Sequence, residues 1–126
     1  MSAQVTGTLI LLGAMAVESV AQLGLKLGAG GGPALLRPAC RRWVEQFRPA
    51  THPRFWIGFG VAAYVLEILL YTCALRFLDV SVAFPLGSLC FVGVALLSKF
   101  LLGEAVSPAR WLGVGCILAG SCIVAL

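Results

Sequence analysis

The sequence predicts an all-α membrane protein with four transmembrane helices and a short basic amphipathic helix at the membrane interface between the first two. Sixty per cent of the 126 residues are hydrophobic and 11% are charged, and the mean hydropathy is +1.01, outside the range of a soluble domain. Four apolar runs of about 20 residues occupy residues 5–28, 55–75, 80–102 and 109–126. We expect helices because lipid leaves an open sheet edge without hydrogen-bond partners. Residues 1–126 are expected to form a single membrane domain.

The first apolar run carries a stripe of polar residues. Glu18, Gln22 and Lys26 are spaced four residues apart, so they share one helix face that runs from mid-bilayer toward one end. The run lacks a basic start and contains these charges, so we expect it to remain in the mature protein. The second run carries another carboxylate, Glu67, near its middle. A carboxylate at the bilayer centre costs about 2.5–3.5 kcal/mol and normally faces a cavity or a partner, which makes transport the first hypothesis.

The connection between the first two runs, residues 29–54, is flexible at its start and then strongly basic. After a glycine-rich opening it contains five arginines against the single Glu45, and apolar residues recur between them at helical spacing: Leu36, Cys40, Trp43 and Phe47. This pattern is typical of a short helix lying in the interface with its basic side toward lipid headgroups. Two interpretations stay open. The arginines either anchor the chain only, or some of them receive an anionic lipid substrate, the candidates being Arg37, Arg41 and Arg42.

The third and fourth runs carry packing signals. Pro85 removes a backbone hydrogen bond and is expected to kink the third helix, either as a packing adjustment or as a hinge. In the fourth run Gly113 and Gly120 lie seven residues apart on one face, where small residues let helix backbones approach closely. They are expected to pack either within one bundle or in a dimer, and the small size of the chain favours the dimer.

The charges predict one orientation. With four spans, the first and third connections lie on the same side of the membrane and collect eight cations, whereas the other side has only Arg76; the eight are Lys26, Arg37, Arg41, Arg42, Arg48, Arg54, Lys99 and Arg110. Because cytoplasmic loops carry an excess of Lys and Arg, we place these two connections in the cytoplasm and both termini outside.

Enzymatic signatures are absent from the sequence. The five cysteines, at positions 40, 73, 90, 116 and 122, show no metal-ligand spacing, and His52 is the only histidine. There is no nucleophile–base set, phosphate-cradling loop or cofactor fingerprint. We therefore expect a protein that is not an enzyme and has no cofactor, no metal and no nucleic-acid partner.

Three segments together resemble the small multidrug resistance branch of the drug/metabolite transporter superfamily. They are the run from Glu18 to Lys26, the segment from Ala83 to Ser88, and the glycines from Gly113 to Gly120. In drug-exporting members a glutamate eight residues before a lysine binds protons and substrate in competition, and Glu18 and Lys26 match that spacing. Those members also carry a Tyr and a Trp in the third span. Phe84 and Gly87 stand at the matching positions, which argues against export of aromatic cations.

The chain is most similar, within that superfamily, to the flippase subunits that move aminoarabinose-linked undecaprenyl phosphate across the inner membrane of Gram-negative bacteria. The similarity lies in residues 19–23, 80–92 and 104–114. It implies a multi-pass protein of the bacterial inner membrane that acts on a lipid-linked sugar as a homodimer or with a homologous subunit. In that membrane the charge distribution places both termini in the periplasm. Glu18 and Glu67 depart from this resemblance, because those subunits tend to carry small or polar residues at these positions.

Such a substrate fits the polar residues of the spans. Glu18 and Lys26 are about 12 Å apart along a helix axis, too far for a direct pair, so they can serve different ends of one ligand. Lys26, helped by the arginines, is expected to hold phosphate, while Glu18 or Glu67 binds an amine or sugar hydroxyls. The remaining candidate contacts on the substrate are Gln22, Tyr71 and Ser88.

Alternatives stay open at each of these positions. Lys26 can simply extend toward the interface, and Glu67 can be structural, hydrogen-bonded to Tyr71 or to a partner helix. At the level of function, a proton-coupled exporter of small cations such as guanidinium or polyamines is the alternative to the flippase, with Glu18 exchanging protons for substrate. A membrane subunit that binds a partner without transporting is the third hypothesis.

Overall fold

The structure of the protein is a computed structural model that describes residues 2–32, 36–46 and 52–126. Over these residues it contains six helices and no strand, which confirms the all-α prediction for the described part of the chain. The helices are α1 (Ala3–Ala29), α2 (Pro38–Glu45), α3 (Pro53–Ala74), α4 (Val80–Gly87), α5 (Cys90–Phe100) and α6 (Pro108–Ala125).

Three segments of the described chain are long and apolar enough to cross a membrane. They are α1, α3 and the 21-residue segment Val80–Phe100, which α4 and α5 form together. The fourth apolar run forms α6, whose 18 residues extend about 27 Å, slightly less than the hydrocarbon core of about 30 Å. The chain is therefore a multi-pass helical membrane protein, and the fourth crossing stays a prediction.

Local sequence explains where the helices begin and end. The Ser2 side chain accepts a hydrogen bond from the Val5 amide at the start of α1, and Ser107 does the same for the Arg110 amide at the start of α6. Such caps satisfy amides that have no partner within the helix. Prolines occupy the first turns of α2, α3 and α6, where a missing amide hydrogen costs little. After α1, Gly31 adopts a φ of 104°, which favours glycine.

Helices α1 and α3 pack closely along a seam of small residues. A Cβ added to Gly28 would lie 2.9 Å from the Ile57 amide nitrogen, and one added to Gly60 would lie 3.1 Å from the Ala21 carbonyl oxygen. Backbones can approach this closely only where side chains are absent or small. The sequence interpretation identified glycine packing in the fourth run and missed this seam.

The glycines of α6 have a different environment. A Cβ added to Gly113 or Gly120 would meet nothing within 4 Å of it among the described residues. Packing against another described helix of this chain therefore does not explain these two glycines. Their predicted role in dimer packing stays a prediction, and their face is open to a partner or to lipid.

The helix of the third run is interrupted after Pro85. The Ser88 amide donates to the Pro85 carbonyl at 3.1 Å and the Leu89 amide donates to the Leu86 carbonyl at 3.0 Å. These are bonds across three residues, tighter than the four-residue bonds of an α-helix. The interruption separates α4 from α5, and the hinge function of Pro85 stays a prediction.

The short helix α2 lies at the end of α1 that carries Lys26. The Arg37 amide, just before α2, donates to the Leu101 carbonyl at 2.9 Å, so the connection after α1 contacts the segment that follows α5. Two parts of the predicted basic connection, residues 33–35 and 47–51, lie outside the described residues. The placement of α2 at a membrane interface stays a prediction.

Candidate functional site

A cavity of about 350 Å³ lies where α1, α3, α4 and α5 meet, and we refer to it as the carboxylate cavity. It contains four of the residues selected from the sequence, namely Glu18, Glu67, Tyr71 and Ser88. The remaining lining is mostly apolar and comes from Met15, Phe84, Gly87, Cys90 and Phe91. The helix interruption near Ser88 forms one wall, so the cavity adjoins the least regular part of the third span.

The carboxylate cavity is lined by two acidic side chains, Glu18 and Glu67. Glu18 acts electrostatically on Glu67, and none of the described residues that line the cavity is Lys, Arg or His. Two negative charges in an apolar cavity repel each other, so a proton or a cationic group of a ligand stabilises the pair. Tyr71, Phe84 and Phe91 also line the cavity, and aromatic rings are surfaces that organic cations favour.

Ser88 connects the helix interruption to α6. Its hydroxyl lies 2.5 Å from the Ser121 hydroxyl and 2.5 Å from the Pro85 carbonyl oxygen. Ser121 also donates to the Ile117 carbonyl at 2.8 Å. A ligand that binds Ser88 must therefore compete with these contacts. Because Ser88 contacts Ser121, a movement of α6 would also displace the Ser88 side chain in the cavity wall.

A second cavity of about 340 Å³, the lysine cavity, follows along α1. It contains Gln22 and Lys26 together with Ser19 and Ser98, and its other lining residues are Leu23, Leu25, Val94, Leu97 and Leu102. The structure therefore divides the predicted polar stripe between two cavities, with Glu18 in the first and Gln22 and Lys26 in the second.

Buried Ser19 lies between the two cavities. Its hydroxyl is 2.9 Å from the Met15 carbonyl oxygen and 3.3 Å from the Cys90 carbonyl oxygen, so it joins α1 to the start of α5. Gly93 lies directly against the Ser19 side chain, where a larger residue would clash. This contact lies between the residues that line the carboxylate cavity and those that line the lysine cavity.

Lys26 forms an ion pair with Glu104, a residue that sequence reasoning did not select. The side chains of Lys26 and Glu104 remain 51% and 38% exposed, and Lys26 lines the lysine cavity, so the pair borders that cavity and is accessible. A signal was present in the sequence. Glu104 falls in the connection that was predicted to lie on the same side of the membrane as Lys26, and opposite charges at one membrane end attract each other.

The three selected arginines lie near this end but in different environments. A Cβ added to Gly103 would lie 3.0 Å from Nε of Arg37, so this side chain lies next to the Glu104 segment. Arg41 pairs with Glu45 at 3.4 Å within α2, and Arg42 is exposed. Arg37 is thus the selected arginine positioned beside the Lys26–Glu104 pair.

The described residues show no group of three His, Cys, Asp or Glu side chains that could hold a metal ion. All five cysteines are unpaired. The candidate chemistry is therefore ligand binding by charge: a carboxylate pair near the middle of the spans and a cation at the end of α1.

Membrane helices that surround cavities lined by charged side chains are an arrangement expected of a membrane transporter. Residues 5–126 match the EamA-like transporter family, and the chain belongs to that family. This confirms that the protein is of a transporter type and is not an enzyme.

The curated relatives narrow the similarity further. The chain is 29% identical over 114 residues to a probable 4-amino-4-deoxy-L-arabinose-phosphoundecaprenol flippase subunit ArnE of Pseudomonas savastanoi pv. phaseolicola, covering 89% of this chain and 90% of the relative. It is 32% identical over 123 residues to a probable subunit ArnF of the same kind of flippase from Shewanella sediminis, covering 92% and 85%. A probable ArnE of Klebsiella pneumoniae is 36% identical over 77 residues, covering 61% and 69%. The resemblance to these flippase subunits is thus confirmed. No solved structure matches the chain.

Proposed function

We propose that this chain is a subunit of a flippase that translocates an undecaprenyl phosphate-linked amino sugar, such as aminoarabinose, across the bacterial inner membrane. The observation that carries the proposal is the separation of charge along α1. An anionic cavity containing Glu18 and Glu67 is followed by a cavity that ends in Lys26. A phosphate-linked amino sugar carries an amine and a phosphate at different positions, so it presents one charge to each cavity.

The physical requirements of lipid translocation support the same assignment. The polar headgroup needs a path through the spans while the polyprenyl tail stays in lipid, because an unpaired charge in hydrocarbon is costly. In this proposal Glu18 and Glu67 bind the amine, and Tyr71 in the carboxylate cavity and Gln22 in the lysine cavity hydrogen-bond sugar hydroxyls. Lys26, with Arg37 nearby, binds the phosphate through charge-assisted hydrogen bonds.

Glu104 competes with the substrate phosphate for Lys26. In the described conformation Glu104 already neutralises Lys26. An entering phosphate therefore displaces the Glu104 carboxylate from the lysine, and Glu104 returns when the headgroup has moved on. The exposed arginines Arg41 and Arg42 concentrate anionic lipid near this entry.

The transport path is completed by a second subunit. The open face of α6 around Gly113 and Gly120 supports association through that helix. Both termini face the periplasm in this proposal, because the cations concentrate on the opposite side. The partner is either an identical chain in parallel orientation or a homologous subunit inserted the other way round.

One observation favours a second candidate, the proton-coupled exporter of small cations. The carboxylate cavity is lined by two acidic residues and by no basic side chain among the described residues. Lys26 is already paired with Glu104. Such a site would accept guanidinium or a polyamine at Glu18 without needing a phosphate contact at all.

Transport by two variants separates the candidates. In proteoliposomes that contain the chain, with its homologous subunit where activity requires one, the flippase predicts that Lys26→Ala abolishes translocation of the lipid-linked amino sugar. Lys99→Ala is the matched control, because Lys99 lies over the rings of Phe100 and Trp111 and outside both cavities. The exporter predicts instead guanidinium uptake that depends on Glu18 and is unaffected by Lys26→Ala, and that result would overturn the flippase assignment.

A further inference from the structure

A third cavity of about 390 Å³ lies at the end of α1 opposite to Lys26, and we refer to it as the arginine cavity. Its polar lining comes from Gln4 and Thr8 on α1 and from Arg76 and Asp79 in the connection between α3 and α4. The other lining residues are Leu75, Phe77, Leu78 and Val82. None of the residues selected for substrate binding from the sequence contributes to it.

The arginine cavity continues the same face of α1 as the other two cavities. At 100° per residue, seven of the α1 residues that line the three cavities fall within an arc of about 100°; they are Gln4, Thr8, Met15, Glu18, Ser19, Gln22 and Lys26. Leu23 and Leu25, which also line the lysine cavity, lie outside this arc. Thr8 and Lys26 are about 27 Å apart along the axis, close to the hydrocarbon thickness of about 30 Å. The face thus carries a polar site at each end of the span and the carboxylate cavity between them.

A buried apolar cluster separates the arginine cavity from the carboxylate cavity. Leu11 lies on the same face of α1 and is 1% exposed, and it clusters with Ala14, Met15, Ala74 and Ala83. A charged headgroup cannot pass this cluster without a movement of α1, α3 or α4, because burying an unpaired charge among apolar side chains is costly. The arginine cavity is therefore separate from the carboxylate cavity and lies at the end of the span.

The chemistry of the arginine cavity fits a phosphate beside an amine. Within the described part of the chain, the ion pairs join Lys26 to Glu104 and Arg41 to Glu45, so Arg76 is paired with no described carboxylate. A guanidinium binds phosphate oxygens through two parallel hydrogen bonds. Asp79 places a carboxylate in the same cavity, where it can bind a substrate amine while Arg76 holds the phosphate.

We infer that the arginine cavity is a second phosphate-binding site for the lipid-linked substrate, located at the predicted extracytoplasmic end of the path. This inference rests on the proposed flippase function and deepens it. The headgroup leaves the carboxylate cavity when the Leu11 cluster opens, and Arg76 then holds its phosphate until the lipid returns to the outer leaflet. Lys26 and Arg76 act as the phosphate contacts at the two ends of one path.

Photo-crosslinking tests the inference on the full chain in proteoliposomes. The probe is an undecaprenyl phosphate-linked aminoarabinose with a diazirine near the phosphate, and the labelled peptides are mapped by mass spectrometry. We expect labelling both near Lys26 and in residues 75–79. Arg76→Gln should lower labelling of residues 75–79 by about tenfold or more, the effect of one charge-assisted hydrogen bond, while Arg76→Lys retains part of it. Labelling near Lys26 should stay unchanged, which shows that the variant is folded, and Arg110→Gln is the control for loss of an exposed arginine elsewhere.

Competition identifies the source of the phosphate. Unlabelled undecaprenyl phosphate should displace the probe from residues 75–79, whereas neutral undecaprenol, phosphatidylglycerol and inorganic phosphate at the same concentration should not. Equal displacement by phosphatidylglycerol or inorganic phosphate would show a general anion site and overturn the inference. Undiminished labelling of residues 75–79 in Arg76→Gln would overturn it as well, with the proposed function intact. Absence of labelling at both ends would overturn the proposed function together with the inference.

Discussion

Glu104→Gln is the substitution that isolates the competition between Glu104 and the substrate phosphate for Lys26. The change keeps the size and hydrogen-bonding capacity of the side chain and removes the charge that neutralises Lys26. Both side chains are substantially exposed, at 51% and 38%, and ion pairs in such positions contribute about 0–1 kcal/mol to stability. The free energy of unfolding of the variant should therefore lie within about 1 kcal/mol of the wild-type value.

The same reasoning gives the size of the effect on binding. If Glu104 holds Lys26 with about 1 kcal/mol, its removal should strengthen binding of an undecaprenyl phosphate-linked sugar by up to about fivefold. The gain should vanish in a Lys26→Ala background, because no lysine is then left to release. A double-mutant cycle over the two positions measures this coupling, with bound lipid quantified by native mass spectrometry of the gently extracted protein.

Glu45→Gln is the matched control for this experiment. Glu45 forms an exposed ion pair with Arg41 within α2, away from the three cavities, so any gain in lipid binding from releasing Arg41 should persist in a Lys26→Ala background. Binding weakened by Glu104→Gln to the same extent as by Lys26→Ala would refute the competition. That result would mean that the two residues form one binding unit in which the carboxylate itself contacts the substrate.

Three further predictions concern orientation and packing. A reporter fused to the C-terminus should read extracytoplasmic in essentially every molecule, and an even division between the two sides would contradict the predicted orientation. Gly113→Leu and Gly120→Leu should each weaken crosslinking between subunits without affecting membrane insertion, because apolarity rises while close approach is lost; unchanged crosslinking in both would remove these glycines from the interface. Gly28→Leu should lower stability by about 1–3 kcal/mol, since its added Cβ would lie 2.9 Å from the Ile57 amide nitrogen. Gly58→Leu is the control on α3: a Cβ added there would meet nothing within 4 Å among the described residues, so thermal unfolding measured in detergent should not change.

The helices could be predicted from the sequence because apolarity over about 20 residues is a local property. The predicted runs 5–28 and 80–102 correspond closely to α1 and to the segment Val80–Phe100. A departure from regular helix in the third span was also predicted from one residue type, since proline lacks the amide hydrogen that an α-helix requires, but the three-residue bonds that mark the interruption lie after the proline, at Ser88 and Leu89.

The shape of the site could be predicted only in part. Glu18 and Glu67 were selected individually because buried charge is costly at any position in a span, and the structure places both in one cavity. Phe84 and Phe91, which also line this cavity, could not be predicted together as lining residues. They lie on opposite sides of the interruption, so whether they face the same cavity depends on the rotation of α5 relative to α4. The pairing of Lys26 with Glu104 depends on the path of the connection after α5, which apolar periodicity does not specify.

The α1–α3 seam was missed for a similar reason. Glycines in an apolar run can face lipid, a partner or a neighbouring helix, and the sequence contains them in several runs. Gly28 and Gly60 contact the opposite helix closely, whereas Gly113 and Gly120 meet nothing described within 4 Å. Which glycines lie in an interface depends on the rotation of each helix, and that is set by the packing of the whole bundle.

The central claim is that the chain moves a headgroup carrying both an amine and a phosphate, and leaflet-specific labelling measures this directly. Proteoliposomes containing the reconstituted protein receive undecaprenyl phosphate-linked aminoarabinose in one leaflet, and a membrane-impermeant amine reagent reports how much of the sugar has reached the other. We expect rapid transfer by the wild type, strong reduction in Glu18→Gln and loss in Lys26→Ala. Transfer at the rate of protein-free liposomes, in vesicles where the same protein takes up guanidinium, would contradict it.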